Sequence, residues 1–243
     1  MAGGLVLLHG FTHTGSSWRR VVAALGERYR PLAPDLRGHG RASAARPVSL
    51  TAVLGDLDAA APPRFTLGGY SMGGRIALHA ALARPERVAR LVLIGASPGL
   101  ATAAERTERV AADAALADEI EESTIEDFAH RWAQTPVLAG LPAVVADEVQ
   151  ADRMRCTPAG LAAALRGLGT GTLPSLWDRL GELSLPVTLV VGEHDEKFRA
   201  IASRMARELP AADVAVVAGA GHAVHLEAPE VVAELIGGKD DPS

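Results

Sequence analysis

Gly69-Tyr70-Ser71-Met72-Gly73-Gly74 follows the short apolar run 65–67 and opens a stretch of helical period over 73–83. Strand, sharp glycine turn and helix, in that order, are the setting of a G-x-S-x-G nucleophile elbow. In so tight a turn, side chains at Gly69 and Gly73 would collide with neighbouring backbone. The turn lifts Ser71 above a sheet and beside a helix N-terminus, which favours developing negative charge. A serine hydroxyl is poorly reactive alone, so the motif predicts a histidine base and an acid that orients it.

Outward from the elbow, apolar runs at 5–8, 30–33, 65–67, 91–94, 187–191 and 214–217 read as buried strands, with helical patterns such as 18–25, 73–83 and 200–209 between them. This alternation predicts an α/β fold whose mostly parallel sheet is flanked by helices on both faces. From about Pro98 to Gly181 the rhythm breaks. That stretch holds no strand pattern but has helical patterns at 103–122, 125–134, 144–153, 159–168 and 174–180, punctuated by Gly140, Pro142, Pro158 and the glycines of 169–171. The expected division is a core of residues 1–97 and 182–243 with a helical cap inserted over 98–181.

In folds built on this elbow the order along the chain is serine, acid, histidine. His222, in Gly219-Ala220-Gly221-His222 after the last strand, is the expected base. His225 is the alternative, but it lacks the preceding glycine turn. Asp195, in Gly192-Glu193-His194-Asp195 after the penultimate strand, is the expected acid. Glu193 and Glu196 compete by spacing alone, each read as a solvated loop charge, and His194 reads as a solvent-facing loop residue. Leu8-His9-Gly10-Phe11 closes the first strand. Backbone N–H groups of Phe11 and Met72 are the expected oxyanion hole, with side chains that only pack. The run Asp35-Leu36-Arg37-Gly38-His39-Gly40 reads as loop-ordering.

Composition narrows the function. The 243 residues are 48% hydrophobic, enough for a sizeable core, and a net charge of −5 without any basic run argues against nucleic-acid binding. Lys197 and Lys239 are the only lysines, so positive charge resides almost wholly in arginine, whose planar fork suits carboxylates. Cys156 is the only cysteine, which excludes an intrachain disulfide. No histidine–carboxylate cluster has ligand spacing, no dinucleotide fingerprint follows a strand, and the glycines of 68–74 lack the lysine of a phosphate loop. No metal or organic cofactor is therefore expected. The run 5–8 is too short to span a membrane, and no signal-peptide pattern precedes it. The expectation is a cytoplasmic protein acting on a small molecule, a monomer or small homo-oligomer with no membrane or nucleic-acid partner. Residues 237–243, mixing Gly, Lys, Asp and Pro, read as a loose tail.

Together these motifs resemble the α/β-hydrolase superfamily over nearly the whole chain. The cap narrows the likeness. Ser97-Pro98-Gly99-Leu100 with Glu105-Arg106 and Glu108-Arg109 resembles the cap entry of the menaquinone-pathway 2-succinyl-6-hydroxy-2,4-cyclohexadiene-1-carboxylate synthases (MenH). So do Phe128 through Val137, the run from Arg153 through Pro158 to Gly171, the close at Pro174-Ser175-Leu176-Trp177, and Gly192 through Phe198 beside the acid. The resemblance implies a lyase that removes pyruvate from a cyclohexene enolpyruvyl ether by 2,5-elimination, with Ser71 acting as a base and not as an acylated nucleophile. It implies a substrate with three carboxylates, held by Arg75, Arg109 and Arg153, in a pocket lined by Tyr70 and Trp132. The residues themselves are compatible with this: Arg75 lies one turn beyond Ser71 on the same helix and can point at the same cavity. The alternative on the same triad is a carboxylesterase or a carbon–carbon bond hydrolase. One departure is expected. The superfamily's N-terminal hairpin is absent, because the strand ending in His-Gly starts near residue 5, which leaves a sheet of about six strands.

Overall fold

The computed structural model describes residues 4–27, 29–135 and 141–238. Five parallel strands form one sheet in the order β1 (Gly4–Leu8), β2 (Phe65–Tyr70), β3 (Val88–Ile94), β4 (Val187–Gly192), β5 (Ala212–Val217). Side chains alternate across a strand, and β1 shows the consequence. Val6 and Leu8 enter one core with Leu67, Leu91, Leu93 and Leu189, while Leu5 and Leu7 enter another with Val92, Ile94 and Val190. A strand buried on both faces reads as a continuous apolar run, which is why Leu5-Val6-Leu7-Leu8 shows no polar alternation.

Helices cover both faces. On the first lie α2 (Leu50–Ala60), α3 (Met72–Ala83) and α8 (Glu196–Glu208), which supply Val53, Leu57, Ile76, Ala202 and Met205. On the second, α1 (Arg19–Leu25) packs beside α10 (Pro229–Gly237) and the short α9 (Val224–Glu227), around the fully buried Trp18. Burial of each such Leu, Ile or Val contributes about 1.5–3 kcal/mol.

Between β3 and β4 the chain forms α4 (Ala103–Glu121), α5 (Ile125–Ala133), α6 (Ala143–Arg153) and α7 (Pro158–Leu168). Their starts are written in the sequence. Thr102 and Glu105 form a reciprocal capping box, and Thr124 and Thr157 cap the next turns. Helices α4, α5 and α7 share a core of their own, made of Ala117, Ile120, Phe128, Leu161 and Leu165 with Cys156 from the turn between α6 and α7, while α6 sends Val145 and Val149 into the second core of the sheet. Asp152 ties α6 to the first loop by accepting from both the backbone N–H and the hydroxyl of Thr14.

Two expectations need correction. The run 30–33 is not a sixth strand: Leu32 alone bridges to Val6, donating to Leu5 and accepting from Leu7. Leu32 lies between Pro31 and Pro34, and the next donor toward β1 would be Pro34, which has no N–H. The run 174–180 is not an α-helix either. Trp177–Glu182 makes 3₁₀ turns that start three residues after Pro174, contain Gly181 and are pinned by the indole N–H of Trp177 donating to the carbonyl of Gly99. Pro136, Val137, Gly140, Lys239 and all but the first two residues of the 237–243 tail lie outside the described residues; Gly237 ends α10.

Candidate active site

The elbow begins with backbone geometry. Ser71 has φ 50° and ψ −109°, a region that side chains other than glycine enter only under strain. Its N–H is held by the carbonyl of Ile94 at 2.9 Å. A Cβ on Gly69 would stand 2.5 Å from the Gly73 carbonyl oxygen, and one on Gly73 would stand 2.3 Å from that of Leu8. Both glycines are therefore required for α3 to pack directly against β1 and β2.

The loop after β5 brings His222 to this serine. Its Nε2 lies 3.3 Å from Ser71 Oγ and its Nδ1 lies 2.6 Å from Asp195 Oδ2. The carboxylate only accepts, so Nδ1 carries the proton and the Nε2 lone pair faces the serine hydroxyl. An Oγ–Nε2 contact of this length is common in resting sites of this kind, whose hydrogen bonds tighten in complexes with substrate. Asp195 Oδ1 also accepts from the Phe198 N–H, capping α8. The ring of Phe198 lies 4.5 Å from that of His222 and limits its swing.

The competing residues lie elsewhere. Glu193 is exposed and accepts from the Gly219 N–H; Glu196 and His194 are exposed. His225 is wholly buried, its ring 4.2 Å from Tyr70 and 4.8 Å from Trp18. Neither of its ring nitrogens has a partner among the described residues, and burial pushes its pKa down to about 3. It is a packing residue beneath Tyr70.

The first loop carries Phe11, whose ring meets His39 at 5.8 Å and Trp132 at 5.4 Å. Met72 opens α3, so its N–H has no intrahelical acceptor, as an oxyanion donor requires. His9 fixes this loop to the next: Nδ1 donates to the Gly10 carbonyl, and Nε2 accepts from the Leu36 N–H. Asp35 accepts from the N–H groups of Gly15 and Arg41, which is the loop-ordering role expected of 35–40. Thr12, a β-branched residue at φ 67°, is held by contacts from the end of α6 and the turn after it: Arg153 Nε donates to its hydroxyl at 3.4 Å, and Cys156 Sγ approaches its carbonyl.

The arginines separate into two groups. Arg75 is 7% exposed and Arg153 is 2% exposed. Arg75 spends one N–H on the Leu168 carbonyl, while its Nε has no partner. Arg153 reaches Thr12 with Nε, and its Nη2 has none. Burial pushes both pKa values down to about 10, helped at Arg75 by the charge of Arg109 and opposed at Arg153 by Tyr70 and Asp152. Arg109 is 45% exposed along its side chain and is paired with Asp113. Arg75 and Arg109 thus lie near each other, and Arg153 lies with Thr12 and Tyr70. Tyr70 is buried, which drives its phenol pKa upward, and its ring lies 5.3 Å from His222.

A serine hydroxyl beside a histidine that a carboxylate orients can exchange a proton with a bound molecule or attack it. The chain as a whole resembles known proteins. Residues 5–235 match the profile of the Alpha/beta hydrolase family. A putative 2-succinyl-6-hydroxy-2,4-cyclohexadiene-1-carboxylate synthase of Bacillus subtilis (strain 168) is 38% identical over 242 residues, covering 96% of this chain and 88% of its own. The structure of MenH from S. aureus superposes with a TM-score of 0.90 at 31% identity, covering 97% of this chain and 92% of that one. A thermophilic esterase from Thermogutta terrifontis, solved with malate bound, superposes with a TM-score of 0.81 at 25% identity, covering 98% and 89%. The chain belongs to the α/β-hydrolase family and, within it, to the 2-succinyl-6-hydroxy-2,4-cyclohexadiene-1-carboxylate synthases.

Proposed function

We propose that this protein is a carbon–oxygen lyase that forms 2-succinyl-6-hydroxy-2,4-cyclohexadiene-1-carboxylate in menaquinone biosynthesis by eliminating pyruvate from the corresponding enolpyruvyl ether. The B. subtilis and S. aureus likenesses support the reaction. The observation that carries it is the pair Arg75 and Arg153, each buried with a donor left over. A buried unpaired cation costs several kcal/mol, and a polyanionic substrate removes that cost. A neutral ester does not.

The product's ring double bonds start at carbons 2 and 4, and carbon 2 bears the succinyl group. The proton lost from carbon 2 is therefore α to the succinyl carbonyl. Ser71 Oγ takes that proton as its own passes to His222 Nε2, and Asp195 stabilises the resulting imidazolium. Negative charge develops on the succinyl oxygen, within reach of the N–H groups of Phe11 and Met72. The charge then returns into the ring, the double bond shifts, and the bond from carbon 5 to the ether oxygen breaks. The leaving enolate takes a proton and becomes pyruvate. No bond to Ser71 forms. Arg75, Arg109 and Arg153 hold the three carboxylates, and Tyr70 and Trp132 line the ring pocket.

The reading divides the chain into a core of 1–97 and 182–243 and a cap of 98–181, with carboxylate-binding residues drawn from both. Among the described residues no helix is long and apolar enough to cross a membrane. A cytoplasmic enzyme, monomeric or a small homo-oligomer, fits a substrate whose three charges keep it in the compartment where it is made. The test is pyruvate release from the enolpyruvyl ether, run beside a panel of short-chain esters.

A further inference from the structure

One buried carboxylate is not used by this mechanism. Asp113 stands in α4, one turn after Arg109, and is 3% exposed. Its Oδ1 accepts from Arg109 Nε at 2.7 Å, and its Oδ2 has no partner among the described residues. Oδ2 lies against the turn that ends α7: a Cβ on Gly169 would stand 2.5 Å from it. Leu168, the residue before that glycine, gives its carbonyl to Arg75. Asp113 thus sits where the two like-charged guanidiniums of Arg75 and Arg109 approach each other.

The hydrogen-bond pattern matters more than the charge count. Asp113 occupies only the Nε–H of Arg109. The two terminal nitrogens, the end that grips a carboxylate bidentately, have no hydrogen bond to any described residue. We propose that Asp113 is a positioning residue, which anchors Arg109 through Nε and presents its free end to a substrate carboxylate. The proposal rests on Arg109 being a substrate-binding residue. Opposite signs separate it from its rivals. If Asp113 acted only through its charge, removing it would strengthen anion binding, because one negative charge beside two cations would be gone. If it acted by orientation, removal would weaken binding, because a half-exposed arginine would have to be ordered anew.

The test is KM and kcat on the enolpyruvyl tricarboxylate for wild type, Arg109→Ala, Asp113→Ala and the double variant. Each single change is expected to raise KM about tenfold and leave kcat within about twofold, and the double variant is expected to match Arg109→Ala. Asp113→Asn keeps an acceptor for Nε and loses the charge, so its KM falls between wild type and Asp113→Ala. It also carries the same cycle if Asp113→Ala does not fold. A lowered KM in the Asp113 variants, or a rise that persists in the Arg109→Ala background, overturns the proposal. An Arg109→Ala variant with unchanged KM overturns instead the reading of Arg109 on which the proposal stands.

Discussion

One carboxylate of Asp195 performs two tasks: Oδ2 accepts from His222 Nδ1 at 2.6 Å, while Oδ1 caps α8 by accepting from the Phe198 N–H at 3.2 Å. The cap fixes the acid and the acid fixes the imidazole, so the base is set by a helix start. Asp195→Asn keeps an oxygen for the cap but can turn an NH₂ toward His222 and reverse its tautomer. Turnover is expected to fall by about three to four orders of magnitude while thermal stability changes little. Ser71→Ala and His222→Ala should be as damaging, and Glu193→Gln nearly silent. Steady-state kinetics with circular dichroism checks this; a silent Asp195→Asn beside a damaging Glu193→Gln would move the acid.

Arg75 and Arg153 should matter in proportion to substrate charge. Charge-assisted hydrogen bonds contribute about 1.5–3 kcal/mol each, so replacing either with Met should lower kcat/KM for the tricarboxylate by about ten- to a hundredfold. Hydrolysis of a small neutral ester, where detectable, should hardly change. Equal losses on both substrates would mean that the arginines serve the fold.

Buried histidines make stability depend on pH. Burial lowers the pKa of His39 and His225 to about 3 and of His79 to about 4. The unfolded chain takes up these protons near pH 6.5 and the folded chain does not. Stability is therefore full above that value and is lost as pH falls from 6.5 toward 3. By pH 5, His39 and His225 should each cost roughly 2 kcal/mol. Urea unfolding at pH 7.5, 6 and 5 measures the slope. His225→Phe should make it shallower; a slope identical to that of the wild type would refute the linkage.

Exhaustive chelation should leave turnover intact, because the proton taken from the substrate passes to Ser71 as the serine's own proton passes to His222, with no step that calls on a metal. Among the described residues no group of three His, Cys, Asp or Glu side chains could hold a metal ion. Loss of activity on chelation with recovery on adding metal would count against the mechanism.

Ser71, Asp195 and His222 were legible because each follows a strand end and a glycine that lets backbone pass close, and such punctuation survives in one dimension. Helices α4, α5 and α7 were legible through threonine caps and helical period, and α6 through its period alone. The run 30–33 misled because its apolar residues fit a strand while its prolines forbid a ladder. Asp113 was missed for a different reason. An Arg-x-x-x-Asp spacing on a polar helix reads as a surface pair, and only packing against the Gly169 turn buries the acid. The histidines at 9, 13, 39 and 225 are likewise scattered in sequence and meet around Phe11 and Tyr70 only in three dimensions.

The most direct test of the elimination is to supply the enolpyruvyl ether to the purified protein and follow pyruvate and the ring diene together. We expect one pyruvate per diene, with kcat/KM of about 10⁴ M⁻¹s⁻¹ or more, and far slower turnover of every short-chain ester. Ready ester hydrolysis with no pyruvate above the uncatalysed rate would contradict the account and leave a hydrolase on the same triad.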